Sequence, residues 1–207
     1  MQNVERGNVW IEHDARKSFV IEETDGLGRP LRAGAVGSRS PFYDPAQLQQ
    51  FKDAAKRVGS EHWSLVVILS KTGIEMRALS KLTVRDYHNG RLRWFASRQK
   101  VPAEMAVDDP ELNDALKIFT ARPQRTADRL DYMIRQVREF SGVAELRAVT
   151  GTTLRLTRCL HLLESGAEPK QVAESLRLPL STVMRVAFEV GYSAPGSPLS
   201  RPRAEGQ

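Results

Sequence analysis

The chain of 207 residues holds a single cysteine, Cys159, which excludes a disulfide framework and any cysteine-built zinc site. A lone thiol fits a reducing compartment, so a cytoplasmic location is expected. Histidine is nearly as scarce. His13, His62, His88 and His161 show no metal-ligand spacing, and neither a metal nor another cofactor is expected. Long apolar runs are missing: none approaches the roughly 18 to 20 residues that cross a bilayer, so no membrane partner is expected. The opening "MQNVERGNVW" lacks the apolar stretch of a secretory leader.

Hydrophobic residues make up 41% of the chain, enough for a packed core. Net charge is +6, and its location says more than its size. Between positions 71 and 103, Lys71, Arg77, Lys81, Arg85, Arg91, Arg93, Arg98 and Lys100 face only Glu75 and Asp86. The rest of the chain is balanced. One basic segment on a neutral background suits a polyanionic partner such as duplex DNA, and a merely solvated basic face gives the same pattern.

Residues 1–43 carry "VWIEH" and "SFVIEE", which read as short strands, followed by a Gly- and Pro-rich stretch that reads as an arm. Asp44 and Pro45 then have the chemistry of a helix start, and Leu48, Phe51, Ala55 and Val58 recur at helical spacing before Gly59. "EHWSLVVILSKTG" reads as a buried helix and "EMRALSKL" as a short one. Asn89-Gly90 signals a tight turn, and "RLRWFASRQ" and "AEMAV" read as strands beside it. Asp109-Pro110 restarts helix. Thr126 opens another, with Leu130, Met133, Ile134, Val137 and Phe140 on its inner stripe. A helix from Thr153 to Gly166 and two short ones, "EPKQVAESLRL" and "STVMRVAFEVGY", complete the order. The expected architecture is mainly α with a small antiparallel sheet (α+β). It divides into an arm over 1–43, one domain over 44–192 and a disordered tail over 193–207.

The last two helices also read as a helix-turn-helix. Val172, Ala173, Leu176, Leu178, Val183 and Val186 occupy its apolar positions, and Arg177 stands where a turn glycine is usual. Ser181, Thr182 and Arg185 would then face the major groove, with Met184 and Glu189 exposed beside them. Two packed helices of an α-rich domain produce the same apolar spacing.

From Asp44 to about Tyr192 the chain resembles the catalytic domain of the tyrosine recombinases, the phage integrase family. Thr72, Gly73 and Ile74, then "EMRALSKLTVRDY" with Leu79, Leu82 and Asp86 in register, match the family's first box. Leu154, Arg155 and Thr157 match the second, and "LLESGAEPKQVAESL" its following helix pair. Arg77, Lys81 and Arg98 of the basic segment, with Lys170, are expected in the DNA-binding surface, and the resemblance implies that Arg155 and Lys100 hold a backbone phosphate there. The 43 residues before Asp44 are too few for the family's separate N-terminal DNA-binding domain, so half of its clamp is expected.

Against the family's chemistry, Glu75 stands at its first arginine. Thr152, Leu156 and Leu178 stand at histidines, and no tyrosine occupies Val186 to Phe188. The expectation is therefore no enzyme: an inactive recombinase-like DNA-binding protein, regulatory or architectural, on a plasmid, phage or integrative element. Double-stranded DNA is the expected partner, with self-association or a partner regulator beside it. The alternatives are an active recombinase using the displaced Tyr192 and a conventional helix-turn-helix repressor. Glu75 itself has two readings: it opposes a phosphate, or it pairs with an arginine such as Arg155 and supports the fold.

Overall fold

The computed structural model describes residues 40–42, 44–95 and 101–189. The expected arm strands and tail lie outside them, as do Arg98, Lys100 and Tyr192.

Helix α1 (Pro45–Val58) begins where the Asp44 carboxylate accepts the Ala46 N–H at 2.8 Å, and Pro45 supplies a first turn that needs no donor. It buries Leu48, Phe51, Ala54 and Ala55. Helix α2 (Ser60–Thr72) is the centre of the fold: Leu65 through Leu69 are inaccessible to solvent. Its continuous apolar run has no polar face because α1, α4 (Pro110–Thr120), α5 (Ala127–Ser141) and α6 (Gly151–Glu164) surround it. Helix α3 is one turn, Met76–Leu79, shorter than the sequence suggests.

Three antiparallel strands follow, β1 (Tyr87–His88), β2 (Arg91–Trp94) and β3 (Ala103–Ala106), in the order β1-β2-β3. Asn89 and Gly90 both have positive φ (50° and 70°), the backbone that a two-residue hairpin requires. Leu92 pairs with Tyr87 on one side and Met105 on the other, and it carries the sheet's buried face. Strand β2 is Arg91–Trp94, and residues 96–99 of the expected strand lie outside the described residues.

Asp109 caps α4 by accepting the Leu112 N–H at 2.9 Å, and Thr126 caps α5. On α5, Leu130, Met133, Ile134 and Val137 are buried as expected, but Phe140 is 54% exposed. The last turn of α5 has run past the core by then, and the Arg57 guanidinium covers the ring at 5.6 Å. Helix α6 starts two residues before the expected Thr153, because Thr150 and Thr153 cap each other's backbone N–H groups.

The short helices α7 (Pro169–Leu176) and α8 (Leu180–Glu189) lie against α6. The buried apolar side chains form two clusters. The larger holds α1 to α5, the sheet and Leu154. The smaller comprises Leu156, Cys159, Leu160, Leu163, Val172, Ala173, Leu176, Val183, Val186 and Ala187. Helix α6 thus serves both. Burial pushes the Cys159 thiol up to about 11, so it behaves as a small apolar side chain.

Candidate nucleic-acid interface

The two matched boxes meet at Gly73. This residue ends α2 in the left-handed region (φ 68°), and its N–H is bonded to the Leu69 carbonyl. Thr72 stiffens the turn: its hydroxyl donates to the Ile68 carbonyl at 2.6 Å and accepts the Ile74 N–H at 3.2 Å. A Cβ on Gly73 would stand 2.7 Å from Leu176 Cδ2 and 3.4 Å from Arg158 Cγ, so no larger residue fits without displacement. Glycine is needed here twice over, for the backbone and for the close approach of α7.

Arg155 locks that seam. Its Nε donates to the Gly73 carbonyl at 2.8 Å and its Nη2 to the Leu176 carbonyl at 2.6 Å. One bidentate edge of the guanidinium, the kind that grips a phosphate, is therefore committed to the protein's own backbone. Burial presses the Arg155 pKa down from its ordinary value, and the charge of Glu75 acts in the opposite direction. Glu75 and Arg155 thus interact through charge, with no ion pair between them among the described residues.

The remaining cations sort differently in space than in sequence. Lys71 bonds to Asp109 and Glu111, and Arg93 lies 3.6 Å from Glu104; all three acids fall outside the basic segment. The charge excess of positions 71–103 is therefore partly offset by the fold. Arg77 and Lys81 are exposed on and after α3, and Arg85 and Arg91 are exposed beside the hairpin. None of these four has a carboxylate partner among the described residues.

Lys170 is exposed in the first turn of α7. Arg177 adopts the left-handed conformation (φ 54°) between α7 and α8, doing the work of the usual glycine. On α8, Ser181 is exposed and Thr182 half-buried. Arg185 is half-buried, bonded to Glu189 at 3.1 Å, and close enough to Cys159 for its charge to act on the buried thiol. The outward stripe of α8 is apolar: Leu180, Met184 and Phe188 are all exposed. The sequence reading also passed over Arg158, although its spacing of three from Arg155 places both toward one side of α6.

No family model and no curated protein sequence matches the chain. Solved structures do. A XerA recombinase is similar at a TM-score of 0.57 and 15% identity, over 75% of this chain and 67% of that one. A Tn1549 transposon integrase in complex with circular intermediate DNA is similar at 0.58 and 17% identity, over 72% and 62%. A lambda integrase bound to DNA is similar at 0.52 and 16%, over 72% and 58%. The fold is that of the tyrosine-recombinase catalytic domain.

The match spans about three fifths to two thirds of those chains. At these identities it is the recombinase fold that is shared, with its helices, small sheet and late helix pair. The expectation of a non-enzyme is corrected by these neighbours, which are themselves recombinases and integrases. That expectation weighed Glu75, Thr152 and Leu178 one position at a time. Catalysis depends instead on where side-chain ends converge, and Arg155 shows that a matched position does not determine what a side chain holds. Among the described helices, none is long and apolar enough to cross a membrane.

Proposed function

We propose that this chain binds duplex DNA through the surface bearing Arg77, Lys81, Arg85 and Arg91, and breaks and rejoins a strand at its site. The observation that carries this reading is the recombinase fold, shared with integrases solved on DNA. The four exposed cations, without carboxylate partners among the described residues, supply the phosphate contacts the reading needs.

In this reading Tyr192 gives up its phenol proton to solvent as its oxygen forms a bond to a backbone phosphorus. The bond from phosphorus to the departing sugar oxygen breaks, and Lys100 supplies the proton that oxygen takes up. Both residues lie outside the described part of the chain and belong to the proposal through the resemblance. A regulatory role on a mobile element would use the same surface without that step.

Two measurements test the reading. Duplex affinity should fall steeply between about 50 and 200 mM salt, because each Lys or Arg contact releases counterions. A duplex nicked beside the binding site should trap a covalent adduct on a denaturing gel, and Tyr192→Phe should abolish it. Flat or absent binding would remove the DNA reading altogether. Salt-sensitive binding with no adduct would remove only the strand chemistry.

A further inference from the structure

Arg158 lies one helical turn beyond Arg155 on α6. Its stem packs in the Gly73 seam, with Cγ 3.4 Å from the position a Gly73 Cβ would take. The residue is half-buried, yet its guanidinium has neither a hydrogen bond nor an ion pair to any of the described residues. Arg155, three residues earlier, has the opposite condition: two backbone carbonyls occupy one of its edges, and Glu75 acts on its charge. No acid does the same for Arg158, where burial alone lowers the pKa. Its field extends along α6 to His161, where Lys52 and Lys71 act in the same direction.

A cation with a fixed stem and an unpaired head loses little freedom when it binds an anion, and it gives up no internal bond to do so. We propose that Arg158 is the α6 residue that holds a backbone phosphate of duplex DNA, and that Arg155 is a positioning residue that sets the seam in which Arg158 stands. This rests on the DNA-binding reading above. It departs from what the resemblance implies, which gives the phosphate to Arg155.

The test compares Arg158→Ala, Arg158→Lys and Arg155→Ala in the full chain. Each is titrated with duplexes of unrelated sequence across a salt series, and each is melted without DNA. Arg158→Ala should weaken every duplex several-fold and reduce the salt slope by about one unit. Arg158→Lys, which keeps the packed stem and the charge, should restore the slope at an unchanged melting temperature. Arg155→Ala should lower the melting temperature. An Arg158→Ala protein that keeps the wild-type slope and affinity, while the wild type binds DNA, would overturn the assignment. A wild type that binds no DNA would instead overturn the reading beneath it. Melting with inorganic phosphate alone separates the other source of the same chemistry. Stabilisation by phosphate that Arg158→Ala abolishes, with no change in duplex slope, would assign the site to a free anion and reject the DNA contact.

Discussion

Arg155 reaches 82 residues back along the chain to the Gly73 carbonyl and 21 forward to that of Leu176. Truncation would leave both carbonyls without their charged donor. Bonds to charged groups are worth about 1.5 to 3 kcal/mol each, so losing the two should destabilise Arg155→Ala by roughly 3 to 6 kcal/mol in urea titration. Lysine cannot donate in that fork geometry, so Arg155→Lys should recover only part of the loss. Glu75→Arg puts a second cation where the charge of a carboxylate now acts on Arg155. It should lower the melting temperature and loosen DNA binding together. A tighter complex at unchanged stability would show instead that Glu75 opposes a phosphate.

At the scale of elements, the pair α7–α8 is held by the smaller apolar cluster and by the backbone turn at Arg177. A non-glycine residue there carries left-handed strain, and glycine relieves it at some entropic cost in the unfolded chain. Arg177→Gly should therefore raise stability by up to about 1 kcal/mol, read from the denaturation midpoint. Helix α8 turns Leu180, Met184 and Phe188 outward, while Arg185 is tied to Glu189 and acts on the buried Cys159. Arg185→Ala is accordingly expected to affect a preferred duplex and a random one alike. A loss confined to the preferred site, of the 1 to 3 kcal/mol or so that a guanine contact provides, would make α8 a reader of bases.

Across the whole molecule, a charge network joins three helices. Lys52 of α1 bonds to Glu111 of α4 at 2.8 Å, and Lys71 of α2 bonds to Glu111 and Asp109. The bond from Lys71 is the main cause holding Asp109 below its ordinary 3.8. Burial works to raise Glu111, but the bonds from Lys52 and Lys71 outweigh it and leave the group below 4.5. A carboxylate with a lowered folded pKa stabilises the fold fully above its ordinary value and loses that contribution as pH falls through the folded one. Stability should therefore decline below about pH 4.5, and Glu111→Gln should weaken that dependence. Asp131 and Glu189 are raised by burial, Asp131 by its neighbour Asp128 as well, so they temper the decline. A melting temperature that rose on acidification would show that these two dominate.

What the chain settles locally was legible from its sequence. Caps at Asp44, Asp109 and Thr126, the Asn89-Gly90 hairpin and the turn at Arg177 depend on groups within a few residues of one another. The apolar spacing of α1 and α5 follows from helical geometry alone, and the order of elements carried the resemblance to the recombinase fold. Tertiary structure decided the partners of charges. Lys52 meets Glu111 across 59 positions, and Lys71 meets Asp109 across 38. A tally of charge along residues 71–103 could not register that offset. Periodicity likewise placed Phe140 on an inner stripe, but only the packed core determined where that stripe ended. The same holds for Arg155 and Arg158: three residues apart on one helix, they differ because Gly73 and Leu176 approach one guanidinium with their carbonyls and leave the other unpaired among the described residues.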